Sequence, residues 1–323
     1  MLTFSCQRAA QCSELRCCVS PLMRISISIT HTSDISHPLY LVSKTLTMTY
    51  KLVTGQCWLC RAPAEVKCDK CDIEACSPAH LALHTKLGGV GDGSQCLPFQ
   101  IVFREGVGNC VTATRDIRPG EVILSEKPAV WGPNLKSPPK CCNCLARWQG
   151  ATCPECQFPV CDDTCARGDT HAQECGTLAS LDIDITFSVG EAANPAMSLI
   201  NVIRFLRLPQ TSQVCVKISR ISMMIMMYGQ DPDLVSRVEM LMDHVDDMSS
   251  SPLLMSMWRD AAVTPLTSKL PASPYTEGDI LHAVGVLQTN TISLAVPGQR
   301  TGLYTGLYPT FSFLSHRCIC NAK

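Results

Sequence analysis

Eight sulfur and nitrogen donors follow one another in a short stretch: Cys141 and Cys144, Cys153 and Cys156, Cys161 and Cys165, then His171 and Cys175. Two cysteines separated by two residues can bend around one ion through a tight turn, and thiolate with imidazole is the donor set of tetrahedral zinc. Eight donors fill two four-coordinate sites and leave no open position, so the chemistry is structural metal binding rather than metal catalysis. Cys142 is the spare and is not counted as a ligand.

An earlier block runs Cys57, Cys60, Cys68, Cys71, Cys76, His80, His84 and Cys96. Its first five positions repeat the order of the later block at nearly the same spacing. The tail departs, with His80 standing where Cys165 stands and a long interval between His84 and Cys96. His80 and His84 are four apart and can share a helix face, so spacing leaves open which of them serves which ion. Two ions are preferred here over one ion and a loose tail, which gives about four zincs in all. Fifteen of the 22 cysteines lie between Cys57 and Cys175 and are interleaved with His, a pattern of metal binding rather than of a disulfide scaffold. Thiolates must stay reduced for this, which places the protein in the nucleus or cytoplasm, and residues 1–35 lack the order of a secretory leader.

The segments that must position these donors differ in character. Strand-like runs begin at Gln100, Cys110 and Glu121, the last two joined by Arg118-Pro119-Gly120-Glu121, where Pro and Gly supply the backbone angles of a type II turn. Pro133 to Pro139 reads as a linker. After about residue 180 the apolar period becomes helical. Asp231-Pro232 resembles an N-cap with Pro at the first helical position, and Leu234, Val238, Leu241, Met242, Val245 and Met248 then predict one amphipathic helix. Thr276 with Asp279 predicts a capping box, followed by Ile280, Val284 and Leu287 on one face. Met223, Met224, Met226 and Met227 read as adaptable core packing. Leu307 to Phe313 is aromatic and strand-like. Residues 1–50 are Ser/Thr-rich without periodicity and are expected to be a disordered leader or a misassigned start. A net charge of -1 offers no footprint for nucleic acid, and charges interrupt every apolar run before it could span a membrane.

Gly106-Val107-Gly108 alone is an ordinary turn signal, but its context gives it weight. The stretch from Gly106 to Pro128 resembles the opening of a SET domain, both Cys/His blocks resemble the MYND finger, and Phe311 to Asn321 resembles a late SET motif. The order of these parts, from about residue 57 to 323, is similar to that of SET and MYND proteins, especially those of arthropods. The resemblance implies an α+β chain: a MYND-like finger at 57–96, the first part of a β-rich SET fold at 99–140, an inserted MYND finger at 141–175, a helical insert at 180–288, and a partial SET core at 289–323.

The resemblance also implies ligand sets. Cys141, Cys144, Cys161 and Cys165 would hold one zinc, and Cys153, Cys156, His171 and Cys175 another. In the first block Cys57, Cys60, Cys76 and His80 would form one site, and Cys68, Cys71, His84 and Cys96 the other. S-adenosylmethionine is implied as cofactor, along Gly106, Val107, Gly108 and Asn109 and at Ser315 and His316. The family usually has Asn-His-Ser-Cys where this chain has Ser315-His316-Arg317-Cys318, so a carboxamide is lost and a bulky cation gained. The family's active-site tyrosine would lie beyond Lys323, so no catalytic residue is assigned and the chain as written is expected to be inactive. The implied activity is methylation of protein lysine, histones included, linked to transcriptional regulation. The alternative is a non-catalytic module that binds Pro-containing peptides of transcriptional regulators, or a truncated gene product.

Overall fold

The computed structural model describes residues 54–86, 96–105, 108–117, 122–134, 137–181, 186–190, 194, 196–208, 234–270, 273–294 and 304–316, with the backbone of strands β1 (Thr3–Phe4) and β2 (Ile25–Ser28). From the first Cys/His block come β3 (Val66–Lys67), β4 (Glu74–Ala75) and α1 (Pro78–Lys86). Strands β5 (Phe99–Arg104), β6 (Gly108–Ala113), β7 (Val122–Glu126) and β8 (Val130–Pro133) follow, then α2 (Asp163–Ala166) and α3 (Asp169–Ala179) of the second block. The remainder is α4 (Ala196–Leu206), α5 (Leu234–Glu239), α6 (Val245–Ser249), α7 (Pro252–Trp258), α8 (Glu277–Asn290), β9 (Thr291–Leu294), β10 (Tyr304–Leu307), α9 (Pro309–Ser312) and β11 (Ser315–His316). The fold is mixed helix and strand. Among the described residues no helix is long and apolar enough to cross a membrane.

The two strands that flank the expected type II turn do not pair with one another. β6 instead forms an antiparallel hairpin with β5, from Phe99↔Ala113 to Arg104↔Gly108, and β7 pairs antiparallel with β2. The turn residues 118–121, the Asp231-Pro232 cap, the methionine run and Gly106-Val107 lie outside the described residues. β8, β10 and β9 form a second antiparallel sheet in that order, so strands on either side of the helical region meet edge to edge. Helix α4 covers this sheet. Met197, Leu199, Ile200, Val202, Ile203 and Phe205 are all buried, and the polar Ser198 and Asn201 are buried with them, so the helix lies inside the core.

The helix expected from Leu234 to Met248 is two short helices, α5 and α6, with residues 240–244 between them and His244 at a left-handed φ of 52°. Leu234, Val238, Leu241 and Met248 are buried, but Met242 is 48% exposed. The interruption has an external cause in α8. Asn290 Nδ2 donates to the Met242 carbonyl (2.8 Å), and His282 Nδ1 faces the Asp243 carboxylate at 2.7 Å. Backbone carbonyls taken by side chains of another helix are lost to the i+4 ladder. The aromatic tail also differs from the expectation: β10 ends at Leu307, and Pro309 opens the helical turn α9, where its fixed φ suits the first position.

Two local signals act as read. Thr276 Oγ1 accepts the Asp279 amide (3.2 Å) while Asp279 Oδ2 accepts the Thr276 amide (2.8 Å), a complete capping box, and Ile280, Val284 and Leu287 are buried. A buried ion pair then ties distant segments together. Glu126 of β7 accepts from Arg237 of α5 and from the amides of Thr310 and Phe311 (3.0 Å each), and Arg237 also donates to Thr310 Oγ1 (2.8 Å). Such a carboxylate is stable away from water because its lone pairs are filled.

Gly285 in α8 lies against the Asp243 backbone, where a Cβ would overlap the carbonyl oxygen. Gly to Ala inside a helix ordinarily gains about 0.5–1 kcal/mol. Here the sign reverses, and Gly285→Ala is expected to cost about 1–3 kcal/mol by urea denaturation of the metal-loaded protein. A raised unfolding midpoint would show that α8 does not press on the 240–244 segment.

Candidate metal centres

Four turns of the chain share one backbone geometry. The amides of Cys57, Cys68, Cys141 and Cys153 donate to the carbonyls of Ala62, Ile73, Ala146 and Phe158, five residues on in each case, at 2.8, 2.9, 3.0 and 2.8 Å. The flanking residues pair antiparallel in one register: Gln56↔Pro63, Lys67↔Glu74, Lys140↔Arg147 and Thr152↔Pro159. In three of the turns the residue after the second cysteine is left-handed, namely Arg61, Leu145 and Gln157, with φ of 63°, 59° and 62°. A side chain in that region costs about 1–2 kcal/mol, so the turn is held by its surroundings and not by local preference. What it achieves is electrostatic. Amides of Leu59 and Cys60 bond the Cys57 sulfur, those of Lys70 and Cys71 the Cys68 sulfur, and those of Glu155 and Cys156 the Cys153 sulfur, all favouring thiolate.

The turns converge with the later donors into four groups: Cys57, Cys60, Cys76 and His80; Cys68, Cys71, His84 and Cys96; Cys141, Cys144, Cys161 and Cys165; Cys153, Cys156, His171 and Cys175. Within each group the donor atoms lie within 4.8 Å of one another. The sulfur pairs Cys60–Cys76, Cys68–Cys96, Cys144–Cys161 and Cys153–Cys175 are 3.5, 3.6, 3.6 and 3.6 Å apart. A disulfide would need about 2.05 Å. Zinc–sulfur bonds of about 2.3 Å give a tetrahedron with an edge of roughly 3.8 Å, so the groups fit zinc as they stand.

Local structure explains how the later donors arrive. Asp162 caps α2 by accepting the Cys165 amide (2.9 Å), which turns Cys165 back toward Cys161. On α3, His171 and Cys175 are one turn apart and share a face. On α1 the same spacing serves two different ions, because the two imidazoles use different nitrogens. His80 presents Nδ1 to Cys57 (3.2 Å) and Cys76 (3.3 Å), whereas His84 reaches Cys71 with Nε2 (3.0 Å). The nitrogen near the backbone and the one at the tip differ in reach, which the spacing of the residues does not encode.

Without a cation these groups are electrostatically frustrated. Burial raises the Cys57 thiol, but hydrogen bonds from His80 and the backbone outweigh it and bring it down to about 6. Its neighbour Cys60 is pushed up to about 12 by burial and by the Cys76 and Cys57 sulfurs. Burial likewise pushes up Cys96, to about 12, with Cys68 and Cys71 adding to it, and Cys153 comes down to about 7. Burial alone lowers His84 to about 4, leaving a neutral imidazole free to ligate. One sulfur of a set ionises at the expense of the next, and a divalent cation removes the conflict.

Two residues beside the fourth group escaped the sequence reading. Glu174 of α3, 1% exposed, lies 3.8 Å from His171 Nδ1 and is held at both oxygens by Arg204 of α4, at 2.6 and 2.8 Å. Arg204 also donates to the carbonyls of Trp131 and Cys142, each at 2.5 Å. Cys142, His171 and Glu174 themselves approach within 4.8 Å. That trio is not a further metal site, since the guanidinium already occupies both carboxylate oxygens. The only signal in the sequence is the three-residue interval from His171 to Glu174 on a helix.

The first finger is continuous with the β5–β6 hairpin. Trp58 accepts the Ile101 amide at its carbonyl (2.9 Å), its indole donates to the His80 carbonyl (2.9 Å), and Leu97 donates to the His84 carbonyl (3.2 Å). At the other end of the hairpin, Gly108 has φ of 83°, and a Cβ there would stand 3.1 Å from Met242 Sδ. Asn109 Nδ2 donates to the Met240 carbonyl (3.2 Å), while its Oδ1 is buried without a partner. Val111 donates to the Phe313 carbonyl (3.0 Å), which brings the backbone leading into Ser315 and His316 alongside β6. The side chains of Ser315 and His316 lie outside what is described.

No protein-family model matches the chain. Among curated proteins it is similar to Histone-lysine N-methyltransferase ASHR1 of Arabidopsis thaliana, at 26% identity over 220 residues. The match covers 67% of this chain and 42% of that protein, so the chain spans about two-fifths of its relative's length. This distant likeness and the Cys/His groups are together consistent with a zinc-binding protein of the lysine methyltransferase kind.

Metal analysis of the purified protein is expected to give about four zincs per chain. Cys76→Ser should lower that number, and Cys142→Ser should leave it unchanged. Stripping the metal should unfold both fingers, because structural zinc supplies on the order of 10 kcal/mol of folding free energy.

Proposed function

We propose that this chain belongs to a SET and MYND protein, in which two MYND-like zinc fingers hold a SET-like core, and that the activity of the whole protein is methylation of protein lysine with S-adenosylmethionine as donor. The observation that carries the reading is the 220-residue similarity to a histone-lysine N-methyltransferase in a chain with four groups of zinc donors. Histone lysine is the favoured substrate, with a role in transcriptional regulation in the nucleus or cytoplasm.

The zinc sites are structural in this reading, since each donor set of four is complete without water or substrate. The cofactor would lie along Gly106, Val107, Gly108 and Asn109 and reach Ser315 and His316. Asn109 Oδ1 supports this: a buried carbonyl oxygen without a donor is costly, and the cofactor's ammonium is a donor. When bound, S-adenosylmethionine supplies an electrophilic methyl group on a sulfonium. The protein's part is to exclude water, keep the lysine amine neutral and align it with that methyl group.

A second reading is favoured by Ser315 and Arg317, which replace a carboxamide and a small hydroxyl in the resembled motif. Here the SET-like core is a scaffold and the fingers bind Pro-containing peptides of transcriptional regulators.

Calorimetric titration of the zinc-loaded protein with S-adenosylmethionine separates the two. The methyltransferase reading expects saturable binding that Asn109→Ala weakens about 10-fold, the worth of one buried hydrogen bond, with zinc content unchanged. No binding to the zinc-loaded chain sinks the methyltransferase reading and leaves the peptide-binding module.

A further inference from the structure

We propose that Glu174 and Arg204 are positioning residues for the fourth metal site: Glu174 keeps the His171 proton on Nδ1 so that Nε2 is the ligand, and Arg204 ties that carboxylate to the core, so that metal retention depends on docking of the finger. The proposal rests on the reading that Cys153, Cys156, His171 and Cys175 hold zinc.

His171 is fully buried. Its Nε2 faces Cys156 Sγ at 3.6 Å, inside the donor group, and its Nδ1 has no hydrogen-bond partner. Facing Nδ1 is the Glu174 carboxylate at 3.8 Å, too far for a direct hydrogen bond but close for a charge when both side chains are buried. A neutral imidazole carries one N–H, and the field of that carboxylate favours the tautomer with hydrogen on Nδ1. Nε2 then keeps its lone pair for the metal, and the negative charge behind the ring makes it a stronger donor.

A carboxylate buried this deeply needs a reason to remain charged, and Arg204 supplies it. Its Nε and Nη2 grip the two Glu174 oxygens, which is the forked geometry of guanidinium with carboxylate. The remaining donors go to backbone, Nη1 to the Trp131 carbonyl of β8 and Nη2 to that of Cys142, the residue after the ligand Cys141. One side chain of α4 therefore touches helix α3, the knuckle of the neighbouring site and the core sheet. In the first finger, among the described residues, His84 Nδ1 is buried without a partner, and burial there leaves only a neutral ring.

The test is the rate of zinc transfer from the full chain to a chromogenic chelator, which resolves ions that leave at different rates. Glu174→Gln and Arg204→Met are each expected to speed release of one zinc out of four by about 10–100-fold, the range for loss of an outer partner, with the other three unchanged. Arg204→Lys, which keeps the charge but not the fork, should restore part of the effect. In His171→Cys the ligand has no second nitrogen, so adding Glu174→Gln should not speed release further. Equal acceleration by Glu174→Gln in both backgrounds, or acceleration of all four zincs together, overturns the proposal and reduces the pair to general packing. A wild-type chain without zinc at this site overturns the metal reading itself, a result that metal analysis gives before any variant is made.

Discussion

Thiol sulfurs held 3.5–3.6 Å apart are the constraint on which both Cys/His blocks depend. Deprotonated, they repel; protonated, they leave three of the four turns folded into left-handed geometry with nothing to hold them there. A divalent cation among them resolves both problems, and the backbone is already shaped to receive it. The four knuckles are superposable in their hydrogen bonds although they come from segments of different sequence. The metal is therefore part of the fold rather than a passenger, as expected for segments with few large apolar residues of their own.

The fingers matter to the rest because they are joined to it by polar contacts made out of reach of water. The first is bonded directly to β5 through Trp58, so the strand that leads toward Gly108 and Asn109 begins at a metal site. The second meets the core through Arg204, and the helical region is fastened through Arg237 to Glu126 and α9. In both ion pairs the guanidinium serves backbone or hydroxyl acceptors as well as the carboxylate, which is what makes a buried charge tolerable. A consequence is that the metal sites, the β5–β6 hairpin and the core are tied together through buried polar contacts.

Short-range chemistry was legible from the residues. The repeated C-x-x-C turns and the Thr276–Asp279 capping box depend on partners a few residues away, and the structure forms each of them. The resemblance supplied the interleaving of donors, which spacing left open. Where the reading failed, a distant partner decided: the helix expected from Leu234 to Met248 breaks at 240–244, where Asn290 of α8 bonds the Met242 carbonyl.

The amino-acid sequence by itself determined which atoms can bind metal and where turns and helix starts fall, since those follow from spacing and from the backbone preferences of single residues. Tertiary structure alone decided which imidazole nitrogen faces which group, and that Glu174 is paired with Arg204, 30 residues away, and Glu126 with Arg237, 111 residues away. Pairings at such separations leave no periodic mark on the chain. They are selected only when packed helices and strands exclude water and a lone charge becomes too costly to leave without its partner.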